Sequence, residues 1–240
     1  MTFTSGKIIG LAVVLSLLLL PAAPQRVDAQ TDAKLSRAAY TLKDQQGHSY
    51  SLYLIGAGEQ QEQVSANPQH DWAIFGNEGD LLYHANYTLY LQKQGSPLLA
   101  DTGIRKDNYT YNATGQSIYT LPMPKGQADL LFITEYAGSS AESADLYRIE
   151  NGTLRKLNIY TYDQAGNEPE TAIFYTKRPR KTAGNRFETA AWSNADAEWV
   201  FSTYEVVESE PAAYLREVKR DIVNREQGDR LTEKWKKDWK

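Results

Sequence analysis

Asp145-Leu-Tyr-Arg-Ile-Glu-Asn-Gly-Thr-Leu-Arg-Lys-Leu-Asn-Ile159 is the stretch that decides the fold class. Asn151-Gly152 is the residue pair that best tolerates the positive φ angles of a type I′ turn. On the strand before it, Tyr147 and Ile149 fall on one face and Leu146 and Arg148 on the other. A period of two on both sides of a tight turn is a β-hairpin, and it predicts antiparallel pairing across Asn151-Gly152.

The same grammar extends in both directions. Upstream, Asp44-Gln45-Gln46-Gly47 reads as a turn, and Tyr50, Leu52 and Leu54 alternate after it. Trp72-Ala73-Ile74-Phe75, Leu81 to Tyr83 and Tyr87 to Leu91 read as strands, with turns at Gly76–Gly79 and Gln94-Gly95. Tyr109-Thr110-Tyr111 and Ile118-Tyr119-Thr120-Leu121 flank Asn112–Gly115 and predict a second hairpin. Downstream, Thr171 to Thr176, Arg186 to Trp192 and Glu198 to Val207 are further strand-like runs. The chain has 16 tyrosines, a residue suited to pleated, half-buried surfaces. The pattern predicts a mainly β fold, an antiparallel meander in which propeller-like blades are one arrangement, followed by a C-terminal helical segment.

That segment begins where the composition changes. Ser209-Glu210-Pro211 has the form of a helix start, and Leu215, Val218 and Ile222 recur at helical spacing. Gln227-Gly228-Asp229 then reads as the end of one helix and the start of another. Leu231, Trp235 and Trp239 form a stripe among Lys234, Lys236, Lys237 and Lys240. From Leu215 to Lys240 there are nine basic and six acidic residues, a net +3.

At the other end, Lys7 precedes an uncharged apolar run, Ile8 to Leu20, and Pro21 closes it. Val27-Asp28-Ala29 supplies the small-x-small pattern of a cleavage site. The run is too short to span a bilayer comfortably, which takes about 20 residues. The organisation expected is therefore a signal peptide at 1–29, a β-rich domain at 30–208 and the helical segment at 209–240. With no cysteine in the chain, neither a lipid-modified cysteine nor a disulfide framework is available. An exported chain of this size without disulfides points to a bacterial protein, secreted or at the cell surface. Residues 30–240 carry 24 basic and 29 acidic residues, net −5, which argues against nucleic acid as a partner.

Two segments look alike. Gly79-Asp80-Leu81-Leu82-Tyr83, then Leu89-Tyr90 and Gly95, parallel Ala128-Asp129-Leu130-Leu131-Phe132, then Leu146-Tyr147 and Gly152. An insertion of eight residues near Gly138–Ser143 reconciles the offsets. The second copy, Asp129 to Ile159, resembles the outer strands of a blade in secreted bacterial β-propeller-like proteins of the FG-GAP/VCBS kind. That resemblance implies a propeller-like sheet arrangement. The chain lacks that family's Asp-x-Asp-Gly-Asp-Gly calcium loop, so no ligand residue carries over.

Catalytic signatures are missing: no Gly-x-Ser-x-Gly, no Ser-x-x-Lys and no thiol. His48, His70 and His84 lack metal-ligand spacing, although His70 and His84 converge if their segments are neighbours. The Asp163–Glu168 turn has too few alternating carboxylates for calcium. No metal and no cofactor is expected. Asp80, Asp101, Asp129 and Glu135 are the carboxylates that a glycosidase-type envelope hydrolase would draw on. The binding candidates are aromatic and basic. Tyr109, Tyr111 and Tyr119 would form a platform for a sugar ring or peptide. Lys177, Arg178, Arg180 and Lys181, placed on an exposed loop around Pro179, would contact an anionic surface. Trp235 and Trp239 would either insert at a membrane interface or dock on the β body. The expectation is a non-catalytic exported binding or structural domain of a bacterial envelope. Its partner is a cell-wall polymer or another envelope protein. A membrane is reached only through an uncleaved signal, as a tethered partner subunit, or through the basic Trp-containing tail.

Overall fold

The computed structural model describes residues 32–73, 76–115, 117–137, 141–161 and 168–235. The export segment at 1–29, the core of the Asp163–Glu168 turn, and Trp239 lie outside them.

Among the described residues three sheets make up the fold, and it is mainly β as the sequence pattern expects. The first is an antiparallel meander of β1 (Ala38–Lys43), β2 (Ser49–Gln63), β3 (Leu81–Lys93) and β4 (Ala100–Asn112). The middle sheet contains β5 (Ile118–Leu121), β6 (Leu130–Tyr136), β7 (Glu142–Glu150), β8 (Thr153–Lys156) and β10 (Ile173–Tyr175), ordered β10-β7-β6-β5 with β8 also on β7. The third is β11 (Lys177–Lys181), β12 (Arg186–Ser193), β13 (Glu198–Val207), β14 (Tyr214–Asn224) and β9 (Asn158–Tyr160), in that spatial order. Its β14–β9 contact is parallel. One helix, α1 (Arg225–Trp235), ends the described chain.

The middle sheet is buried on both faces. Leu131, Ile133, Tyr147 and Ile149 pack with Leu52, Leu54, Tyr87 and Leu89 of the first sheet. The alternate residues Leu130, Phe132, Ala144 and Leu146 pack with Phe187, Tyr204, Val206 and Leu215 of the third. This explains why Leu130-Leu131-Phe132-Ile133 is a continuous apolar run: a strand covered on both sides has no solvent face to alternate with.

The quoted hairpin forms as expected. β7 pairs antiparallel with β8, and Asn151 and Gly152 take φ of 49° and 77°. Beyond Lys156 the chain leaves this sheet, and β9 crosses to the third.

Elsewhere the structure departs from local reading. β4 and β5 do not form a hairpin: β4 pairs with β3 and β5 with β6, in different sheets. Asp71–Ala73 is a 3-10 turn rather than a strand. The two look-alike segments differ in shape. Leu81 to Tyr90 of the first lie in the single strand β3, while Leu130–Phe132 and Leu146-Tyr147 of the second are split between β6 and β7. Residues 214–224 form a strand, not a helix, with ten residue pairs along β13. The helical spacing of Leu215, Val218 and Ile222 is a local signal, and an open sheet edge on β13 outweighs it. Gly228 lies inside α1, which is capped at its start by Asn224 Oδ1 accepting from Gln227 N at 3.0 Å. Lys177–Lys181 is an edge strand rather than a loop tip. Pro179 is tolerated there because one side of an edge strand needs no donor.

Candidate ligand-binding site

α1 lies on the outer face of the third sheet, and Trp235 is the anchor. Trp235 is 2% exposed. Its Nε1 donates to Arg178 O at 3.0 Å, and its ring centroid is 5.8 Å from that of Phe201. The Arg180 guanidinium stands 4.4 Å over the same ring, while Arg180 Nε donates to Glu188 Oε2 at 3.0 Å. A buried indole with its N–H satisfied is an efficient way to fix a short helix to a sheet.

Arg178 faces the middle sheet. Its guanidinium is 4.8 Å from the Tyr119 ring centroid and donates to Gly115 O. Tyr119 is stacked on Phe132 at 4.9 Å, and its hydroxyl donates to Tyr175 Oη at 2.9 Å. Burial holds the Tyr119 hydroxyl far above its usual range. The structure therefore joins four of the sequence-selected residues, Tyr119, Arg178, Arg180 and Trp235, in one chain of contacts. Tyr109 and Tyr111 are elsewhere, 3% and 7% exposed in the core between the first two sheets. Tyr109 Oη donates to Thr134 O at 2.9 Å. Their rings hold two sheets together and present no open platform. Lys177 is half-buried and Lys181 exposed.

Beside Trp235 a groove of about 530 Å³ runs between α1 and the third sheet. Arg180 from β11 and Lys234 from α1 line it, together with Phe201, Val223 and Leu231; Arg220 and Ile222 border it on β14, but the β13–β14 register turns their side chains to the other face of the sheet, where Arg220 binds both oxygens of buried Glu217. Ile222 is 58% and Leu231 38% exposed. Sequence reasoning missed Asp221 and Val223 as groove residues because it placed them on a helix. Leu231 and Lys234 were visible as parts of the tail stripe.

Charge is unevenly distributed along the chain. Residues 32–176 hold 10 Lys/Arg and 17 Asp/Glu, net −7, whereas residues 177–235, which build most of the third sheet and α1, hold 11 and 11, net 0; Lys236, Lys237, Asp238 and Lys240, outside the described residues, bring residues 177–240 to net +2.

The histidines and carboxylates take structural places. Trp72 is sandwiched between His70 and His84, with ring centroids 4.9 and 5.0 Å away. His70 Nδ1 is 2.6 Å from Glu62 Oε2 and His84 Nδ1 2.9 Å from Thr110 Oγ1. Burial, and then the neighbouring His70, push the His84 imidazole below its usual value. The indole fills the space where a shared ion would sit. Among the described residues no group of three His, Cys, Asp or Glu side chains is arranged to hold a metal. Asp80 Oδ2 accepts from Asn77 N at 3.0 Å and Asn112 Nδ2 at 2.7 Å. Asp129 accepts from Lys43 N at 2.8 Å and Met123 N at 2.9 Å. Asp101 binds Arg105 through both oxygens, and Glu135 binds Lys106 Nζ at 2.6 Å. Each of these four carboxylates braces a turn or pairs with a cation.

No helix among the described residues is long and apolar enough to cross a membrane. No protein-family profile matches the chain, and no curated protein or solved structure resembles it significantly.

Proposed function

We propose that the chain is an exported, non-catalytic binding domain of a bacterial cell envelope. It docks on a phosphate-bearing anionic surface through the α1-covered face of its third sheet. The observation that carries this reading is the groove at Trp235, where Arg180 from β11 and Lys234 from α1 meet in the part of the chain, residues 177–240, that carries net +2 against −7 for residues 32–176. A local excess of one sign raises the concentration of the opposite charge at that patch even when net charge is unfavourable. The more acidic remainder, residues 32–176, turns away from an anionic surface and leaves residues 177–240 to lead. Lys7, the apolar run at 8–20 and Val27-Asp28-Ala29 support export. The commitment of Asp80, Asp101, Asp129 and Glu135 to structural bonds supports binding rather than hydrolysis. The resemblance of Asp129–Ile159 to FG-GAP/VCBS blades fits this reading too, since stacked meanders give a rigid frame for surface contacts.

The test is sedimentation of the exported protein with cell-wall fractions at low and at physiological salt. Retention at about 0.01 M salt, weakened at about 0.15 M as the screening length shortens, is the expected result. Lys181→Glu combined with Lys234→Glu should lower it further. Absence of retention at low salt would refute the proposal.

A further inference from the structure

We propose that a cleft at the open end of the seam between the first and middle sheets binds a neutral saccharide. Its place follows from strand register. Tyr50 stands opposite Lys93 and Leu91 opposite Ala100, so all four side chains lie on the core face of the first sheet. Tyr50 and Leu91 are buried and form the floor. Lys93, Ala100 and Leu98 are exposed at the rim, Leu98 to 68%. The Asn151-Gly152 turn of the middle sheet closes the other side: a Cβ at Gly152 would lie 3.6 Å from Tyr50 Oη. The space is about 430 Å³, within the range of about 300–1,000 Å³ for small-molecule sites.

The polar part of the cleft is built on one buried carboxylate. The Asp44 side chain is 4% exposed. It accepts from His48 N at 2.8 Å, His48 Nδ1 at 2.9 Å and Tyr50 Oη at 3.2 Å. Burial alone would raise this carboxyl, but the bonds from His48 and Tyr50 hold it below its usual range. An ionised Asp44 fixes the proton of the neutral imidazole on Nδ1. Nε2 is then a hydrogen-bond acceptor on a ring that is 51% exposed, and among the described residues it has no partner. Lys93 makes no ion pair among the described residues, and its ammonium offers three donors. Gln46 and Asn151 add carboxamides to the lining, groups that donate and accept at once. Charge selects the ligand class. Asp44 and Lys93 are the acid and the base of the lining, and they cancel, so the cleft draws in neither an anion nor a cation. Donors and acceptors in turn, beside apolar Leu98 and Ala100, are the complement of a pyranose ring. Its hydroxyls both give and take hydrogen bonds, and its C–H face is apolar.

Calorimetric titration of the full exported protein with diacetylchitobiose, cellobiose and maltose tests this, with butyrate and butylammonium as charged probes. At least one disaccharide should bind with a Kd of about 1 mM or tighter, and both charged probes about tenfold more weakly or less. Lys93→Met should weaken the best disaccharide about five- to tenfold, and Leu98→Ser about threefold. Both positions are exposed, so neither variant should move the thermal midpoint. His48→Asn keeps a donor for Asp44 in the place of Nδ1 and lacks Nε2, and it should weaken binding about as much as Lys93→Met. In spectra of isotopically labelled imidazoles the His48 Nε2 resonance, assigned with His48→Asn, should shift with the disaccharide and stay in place with butyrate. Absence of binding by all three disaccharides, a charged probe that binds as tightly as the best of them, or unchanged affinity in both Lys93→Met and His48→Asn overturns the inference. The cleft and the anionic docking face lie on different sheets, so disaccharide affinity and salt-dependent retention on wall fractions fail independently.

Discussion

Replacing Gly228 with alanine sets two local effects against each other. Alanine is the better helix former, by about 1 kcal/mol in a helix interior. On that ground alone Gly228→Ala should stabilise α1. The packing says otherwise. A Cβ built at Gly228 would lie 2.1 Å from Trp199 Cδ1, 2.3 Å from its Cγ and 2.7 Å from its Cβ, where ordinary contact is more than an ångström longer. Trp199 cannot swing aside: it is 6% exposed, its Nε1 donates to Asp229 Oδ1 at 2.9 Å, and it packs in a cluster with Ala190 and Trp235. The helix must therefore lift, and the dispersion contacts under Trp235 weaken with it. Overpacking costs about 1–3 kcal/mol, and complete loss of a buried Trp site about 3–5 kcal/mol. Set against the propensity gain, a net destabilisation of about 2–3 kcal/mol is expected. At about 2–4 °C per kcal/mol for a chain of this size, the melting midpoint should fall by about 5–10 °C. Thermal denaturation followed by near-ultraviolet circular dichroism measures it, with a loss of tryptophan signal reporting the freed anchor. Gln227→Ala, at an exposed position one residue earlier, is the control and should change stability by no more than about 0.5 kcal/mol. A midpoint for Gly228→Ala equal to or above that of the parent would refute the packing argument.

Two further substitutions probe the ties between layers. Burial alone would raise the Asp145 carboxyl, but hydrogen bonds from Lys106 at 2.8 Å and Lys156 at 2.7 Å hold it below the usual range. A depressed carboxylate pKa stabilises the fold above the unfolded value near 4, and that contribution disappears as pH falls through the folded value. Asp145→Asn should therefore lose about 2–3 kcal/mol at neutral pH, and urea titrations should show the gap from the parent closing below about pH 4. Arg148, 3% exposed, donates to both oxygens of Glu208 at 2.8 Å and so links the middle sheet to the end of β13. Arg148→Ala removes both bonds to Glu208 and the 3.2 Å ion pair with Glu150 Oε1 and should cost about 3 kcal/mol in urea unfolding; a loss under about 1 kcal/mol would show that the pair contributes little beyond its own desolvation.

Much was legible in the chain itself. Asn151-Gly152 with alternation on its arms specified the β7–β8 hairpin, because a type I′ turn and its flanking strands are set by residues only a few positions apart. The mainly β character was legible for the same reason, as was the apolar run at Leu130–Ile133. Trp235 and the Arg178–Arg180 pair stood out by residue type, though not by partner. What the sequence could not convey was non-local. Residues 214–224 have a helical stripe and still become a strand, because the β13 edge offers backbone partners that no local window contains. Tyr109, Tyr111 and Tyr119 looked equivalent. Burial between different sheets made the first two core and left Tyr119 to hold Arg178. Local chemistry determined turns, strands and the uneven charge of this protein. The tertiary structure alone decided which sheets stack, which face of the third sheet α1 covers, and hence that Arg178, Arg180 and Trp235 meet. Such meetings depend on closing loops of dozens of residues, and only the summed burial of the layers makes up that entropy.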